Sequence, residues 1–246
     1  MVKYNKWLTT VVSSPKTDGG GPLFVPVFYE LLKDTKVDTL FEWCSGNGWI
    51  GIYLLEQGIC DNLVLADINE EAVNNAYTTL ERKGLLSKAK VYLSENLEHI
   101  DKSEKFDLVV ANPPNYCNIR KDHPLGNARE DIGPSDINWG LHEDFYKKIG
   151  KFLNEGAKMY ISEAEPESVR IYLIDKKIPY DDRLFKPLTI FKRMMKDNGF
   201  TLNKVIKRDH RHNYDVKHML DRLYPMPMLD ENKRIITDFS ILDISG

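Results

Sequence analysis

The sequence predicts a doubly wound α/β fold, a mainly parallel sheet with helices on both faces. Three observations lead there. Short apolar runs of strand length, Thr39–Cys44, Leu63–Ala66, Lys90–Leu93 and Phe106–Ala111, alternate with stretches of helical period. At or just beyond their ends stand residues suited to meeting a ligand: Glu42 with the turn Ser45-Gly46-Asn47-Gly48-Trp49-Ile50-Gly51, then Asp67, Glu95 and Asn112. In a parallel sheet those positions share the edge beyond the strand C-termini, where ligands bind. Finally, 246 residues of ordinary apolar and charged content suit a single domain with a large core.

Residues 1–24 are rich in turn formers and end in Asp18-Gly19-Gly20-Gly21-Pro22, a connector or a hinge that lets backbone close on a ligand. Val25–Asp34 has helical period, with Pro26 suited to a first turn. Ile50–Gln57 is the helix after the glycine turn. Asn69 can cap the next, in which Val73, Ala76, Tyr77 and Leu80 recur at helical spacing up to Gly84. Residues 25–165 thus form the core of the predicted fold.

Asn112-Pro113-Pro114-Asn115 ends the fourth strand on a stiffened loop. Proline has no N–H and pushes the preceding residue out of the helical region, so Asn112 is held extended. From Tyr116 to Gly140 the sequence is loop-like and is expected to form a substrate-side lid carrying Trp139. Leu141, Phe145, Ile149 and Leu153 predict a helix closing at Gly156, followed by a strand over Lys158–Ala164. Residues 166–246 supply a helix over Pro187–Asn198, strands over Phe200–Lys207 and Ile236–Ile244, and an excursion over 208–232.

Composition excludes some classes of function. A net charge of −3 carries no global nucleic-acid signal. No apolar run approaches the roughly 18 residues of a membrane span, and no leader-like core precedes the fold, so no membrane partner and a cytoplasmic location are expected. Three cysteines without CxxC spacing suggest neither disulfides nor zinc. Lys207-Arg208-Asp209-His210-Arg211-His212, with Lys217 and His218 beyond, fits no metal-ligand pattern; it reads as a solvated charged stretch or a phosphate-contacting patch.

Gly46-x-Gly48-x-x-Gly51 followed by Asp67 fits two ligands. A dinucleotide pyrophosphate wants N–H donors and no nearby anion, which Glu42 would offend. The ammonium and sulfonium of S-adenosylmethionine are suited by a carboxylate. The segments Glu42-Trp43-Cys44-Ser45-Gly46-Asn47-Gly48, Ala66-Asp67-Ile68-Asn69 and Phe106-Asp107-Leu108-Val109-Val110-Ala111-Asn112-Pro113-Pro114 resemble three motifs of the class I methyltransferases that carry a catalytic Asn-Pro-Pro-aromatic sequence. That group includes release-factor and ribosomal-protein glutamine N-methyltransferases and base-amino methyltransferases.

The resemblance covers roughly residues 36–165. It implies a Rossmann-like seven-stranded sheet with an antiparallel last strand. It also implies S-adenosylmethionine as cofactor, with Glu42, Cys44, Gly46, Asn47 and Gly48 around its methionine part, Asp67 on the ribose, Ile68 on the adenine, and Glu95 or Asn96 near the adenine edge. Asn112, Pro113 and Pro114 would hold a planar acceptor nitrogen, an amide of a protein side chain or of a small molecule. Cys44 stands where the family usually has a smaller residue, and Asn115 replaces the family's aromatic, a ring that Tyr116 or Trp139 could supply. Methylation of an RNA or DNA base is the alternative, and a nicotinamide-dependent oxidoreductase the rival from another class.

Overall fold

The computed structural model describes residues 11–14, 17, 21–114, 117–118, 136–137, 139–165, 187–212 and 235–246. Helix α1 (Gly21–Leu32) leads into β1 (Val37–Trp43), α2 (Trp49–Glu56), β2 (Cys60–Asp67), α3 (Glu70–Arg82), β3 (Ala89–Leu93) and β4 (Phe106–Ala111). Then follow α4 (Gly140–Ile149), β5 (Leu153–Glu165), α5 (Pro187–Asp197), β6 (Thr201–His212) and β7 (Ile235–Ser245). The seven strands form one sheet in the order β3-β2-β1-β4-β5-β7-β6. It is mostly parallel with antiparallel last strands, the Rossmann-like class that the sequence predicts. The chain separates into two compact units, residues 1–113 with 147–161 and 245–246, and residues 114–146 with 162–244.

In the first unit β1 is central, paired in parallel with β2 and with β4. Strands β2 and β3 pair in parallel, as do β4 and β5. Both faces of such a sheet are covered, so Leu40–Trp43 of β1 and Leu108–Ala111 of β4 are buried without alternation. Phe41 stacks on Phe106 at 4.5 Å between centroids, and Phe106 on Phe152 at 5.9 Å, all three buried. Asp107 ties the strand starts together: it accepts the Thr39 N–H at 2.9 Å and the Asn154 side-chain amide at 2.7 Å. Asn69 caps α3 by accepting the N–H groups of Glu71 and Ala72, and two acids in the first turn suit the helix dipole.

The second unit packs α5 and its neighbours around aromatic rings. Trp139 meets Phe191 edge-on at 4.9 Å, and Tyr146 lies 6.2 Å from Phe200. The Asn203 amide donates to Asp243, joining β6 to β7. Cys117–Asn118 and Asp136–Ile137 form a short parallel ladder inside the stretch predicted to be all loop.

Several expectations are corrected. Helix α1 begins at Gly21, a turn earlier than predicted. Pro22 occupies its first turn, while Pro26 is interior and removes one helical hydrogen bond. Gly21 is therefore a packing glycine rather than a hinge, since a Cβ there would lie 2.9 Å from the Trp49 ring. In α3 the buried positions are Ala72, Ala76, Thr79 and Leu80, and Tyr77 is exposed. Helix α4 stops at Ile149, and Leu153 already opens β5. Gly156, read as a helix stop, sits at φ +75° where the β4–β5 register shifts, the position of a bulge. Arg208–His212, expected to open the 208–232 excursion, instead continues β6; the rest of that stretch, with Lys217 and His218, lies outside the described residues.

Truncating the centre of the aromatic stack, Phe106→Ala, should lower stability by about 3–5 kcal/mol. Urea denaturation should show this as a fall in midpoint with an unchanged slope.

Candidate cofactor site

The site is assembled by register. Trp43 pairs with Ala66 on one side and with Ala111 on the other, and Ala111 pairs with Ile161. The next residues of three strands, Cys44, Asp67 and Asn112, therefore leave the sheet along one edge. Asp67 in turn pairs with Leu93, so β3 delivers Glu95 and Asn96 to the same edge.

The turn after β1 is a chain of left-handed residues. Cys44 (φ +53°), Gly46 (φ +51°) and Gly48 (φ +76°) all adopt this conformation, and Gly48 precedes the first turn of α2. Asp67 fixes the turn from the neighbouring strand. Its Oδ2 accepts the Gly46 N–H at 2.7 Å and its Oδ1 the Asn69 N–H at 2.9 Å, while burial pushes its carboxyl up. The glycines differ in what they leave room for. A Cβ on Gly48 would lie 2.8 Å from Leu65 and 2.9 Å from Ile52, and one on Gly51 would lie 2.7 Å from Glu42 Oε2. At Gly46 the nearest described atom, the Thr17 carbonyl oxygen, is 3.9 Å away. Gly48 and Gly51 thus serve packing, and at Gly46 no other described atom beyond its chain neighbours comes within 4 Å.

Glu42 does not project toward that space. It is 2% exposed, and its Oε2 accepts the Gly51 N–H at 2.7 Å, with the Ile50 N–H also directed at it. Burial, and to a lesser extent the Asp67 charge, pushes its carboxyl up to about 8, so at neutral pH it is mostly uncharged. Asn47 also turns inward: it is fully buried, with its amide spent on Thr17 and Asn75. Around Asp67 the surface is apolar and open. Ile68 is 53% and Leu93 47% exposed, while Asn96 is buried at φ +52° and Glu95 is exposed. Asn112 is half-buried and Pro113 buried. Asn115 and Tyr116 lie outside the described residues.

These residues fit a nucleoside cofactor with an amino-acid end. No described side chain crowds Gly46, Asp67 keeps acceptor capacity for a hydroxyl beside its bonds to Gly46, Asn69 and Ile68, and Ile68 with Leu93 offers apolar surface to a flat base.

The second unit contains a cluster that sequence reasoning missed. His142 Nδ1 bonds Asp136 Oδ2, and its Nε2 lies 3.1 Å from Glu163 Oε1, all three side chains being buried. Burial disfavours the imidazolium, yet the Glu163 charge and the hydrogen bonds to Asp136 and Glu163 outweigh it and raise His142 to about 9. A histidine already protonated at neutral pH is an anchor, not a general base. Asp136 also accepts the Leu141 and His142 N–H groups, closing the start of α4. Trp139 belongs to this packing. It is 2% exposed at φ +62° and edge-on to His142 and Phe191, which corrects its expected place on an open lid. An acid just before a helix is a readable cap signal for Asp136, but nothing local pairs it with Glu163.

Fold and glycine turn together define the class, a Rossmann-like methyltransferase fold. Residues 6–125 match the sequence model of the methyltransferase small domain. A ribosomal RNA small subunit methyltransferase C of Haemophilus ducreyi is 30% identical over 112 residues, 46% of this chain and 32% of its own length. A release factor glutamine methyltransferase of Fusobacterium nucleatum is 31% identical over 139 residues, 52% of this chain and 36% of its own. The matches thus span about a third of each relative. Among solved structures, a ribosomal protein L11 methylase from Lactobacillus delbrueckii subsp. bulgaricus shares the fold, with a TM-score of 0.52 at 14% identity over 92% of this chain and 78% of that one.

The protonation of Glu42 has a consequence for stability. Its folded value of about 8 lies above its ordinary 4.5, so its favourable contribution is complete below pH 4.5 and is lost as pH rises toward 8. Glu42→Gln, which cannot titrate, should therefore gain stability relative to wild type from pH 5 to pH 8, by on the order of a few kcal/mol, and stay level above. Paired urea melts across that range check it.

Proposed function

We propose that the chain is an S-adenosylmethionine-dependent N-methyltransferase acting on a planar amide or amino nitrogen. The observation that carries this reading is the row Trp43–Ala66–Ala111, which brings the glycine turn, Asp67 and Asn112 to one edge of the sheet. When bound, the cofactor would supply an electrophilic methyl group on sulfonium. The chain's own part is placement. Gly46 admits the amino-acid end, Gly48 lets the turn pack on Leu65 and Ile52, Asp67 accepts the ribose hydroxyls, and Ile68 packs on the base. Cys44 lines the turn, and Glu95 and Asn96 border the base.

Asn112 and Pro113 supply the acceptor clamp. The Asn112 side-chain carbonyl and the Pro113 backbone carbonyl take two N–H bonds, which orient the nitrogen lone pair for in-line displacement. The rigidity of the consecutive prolines Pro113 and Pro114 keeps those acceptors in place. Such a clamp works by orientation and by electrostatic stabilisation of the positive charge developing on nitrogen, without a dedicated base. Asn115 and Tyr116 follow Pro114 in the sequence.

A protein amide or a small molecule remains the favoured acceptor, on the acidic net charge and the absence of the usual aromatic at Asn115. The second reading is an RNA base, favoured by the relatives named as ribosomal RNA methyltransferases. Methyl transfer from labelled cofactor to ribosomal RNA, to release factor and to a small-amide panel separates the two. Calorimetry should detect S-adenosylhomocysteine and not NAD; the opposite result eliminates the reading. Once an acceptor is in hand, Asn112→Ala should lower kcat by about 100- to 1000-fold. Its affinity for S-adenosylhomocysteine should stay within about twofold, and retained turnover would remove Asn112 from the clamp.

A further inference from the structure

Resting on that cofactor reading, we propose that Asn75 on α3 is a positioning residue for the amino-acid end of S-adenosylmethionine, acting through Asn47 and Thr17. Glu71, Asn75 and Thr79 recur every fourth residue and form one stripe along α3. All three hold the segment before α1. Ser14 Oγ donates to Glu71 at 2.6 Å, Asn75 Nδ2 to Thr17 Oγ1 at 3.4 Å, and the Val12 N–H to Thr79 Oγ1 at 2.9 Å. Thr17 closes on itself as well, its Oγ1 accepting the Ser14 N–H at 3.0 Å.

Asn75 of this stripe also bonds the glycine turn: its Nδ2 donates to Asn47 Oδ1 at 3.2 Å. Asn47 in turn donates to the Thr17 carbonyl at 3.0 Å. One amide group thus joins helix, N-terminal segment and turn. The Thr17 carbonyl faces Gly46, where it is the only described heavy atom within 4 Å of an added Cβ. Among the described residues it accepts one bond, from Asn47, and a carbonyl oxygen has two lone pairs. Glu42, the acceptor that charge logic assigns to the cofactor ammonium, is instead committed to Gly51. The carbonyl of Thr17 takes that place, and Asn75 decides where it lies.

The test separates positioning from simple scaffolding, because scaffolding would affect every part of the cofactor alike. Calorimetry on the full chain compares S-adenosylhomocysteine with 5′-methylthioadenosine, which lacks the amino-acid end. Asn75→Leu should weaken S-adenosylhomocysteine about 10-fold and leave methylthioadenosine within about twofold. Thr79→Val, which removes one tie of the same segment to α3 without touching Asn47, should leave the ratio of the two affinities unchanged. Equal losses for both ligands, or no loss for S-adenosylhomocysteine, overturn the proposal. If Asn75→Leu does not fold by thermal melt, Asn75→Asp, of the same shape but without the donor, is read by the same ratio. Wild-type protein that binds neither ligand overturns the cofactor reading, and this one with it.

Discussion

Glu42 accepts the Gly51 N–H from beneath the first turn of α2, and this buried bond decides how strand, turn and helix meet. The carboxyl replaces a side chain at residue 51, since any Cβ there would collide with it. It also satisfies helix N-terminal donors that would otherwise be orphaned inside the protein. With α2 locked to β1, the turn between them has little freedom, and Asp67 removes what remains by holding Gly46. The openness at Gly46 follows from these two carboxyls. A group that burial leaves largely uncharged serves this purpose without the cost of an isolated buried anion.

Much of this was legible in the sequence. The alternation of runs, the glycine turn, Asp67 and Asn112 depend on local chemistry and on the strict register of a parallel sheet, and both leave marks in the chain. The glycines were readable as glycines but not in their separate duties, because the atom that each one avoids belongs to another element. The direction of the Glu42 side chain was misjudged for the same reason. Charge complementarity to a ligand and burial against a helix start demand the same residue, and only the packing decides between them. Gly156 shows a similar ambiguity, since a left-handed glycine after a helical pattern ends a helix or makes a bulge with equal ease.

The Asp136–His142–Glu163 cluster marks the limit of such reading. Its members are separated by strand and helix, and each alone looks like an ordinary surface residue. Brought together and buried, the imidazolium bonds Asp136 on one side and faces Glu163 on the other, and removal of His142 would leave two carboxyls without their cation in a poor solvent. Trp139 had a plausible functional reading from its place in a long loop. Its ring is nonetheless committed to His142 and Phe191.

The exposed apolar surface of Ile68 and Leu93 beside Asp67 bears on turnover under the proposed activity. A flat base covering it gains roughly 25 cal/mol for each Å² removed from water, before any polar contact forms. That gain is the same for the methylated cofactor and for its demethylated product, which differ only at sulfur. Binding of this uniform kind helps capture but does nothing for the chemical step. Such a surface makes the protein prone to holding its spent cofactor, so its pace in a cell would follow how quickly that product is cleared.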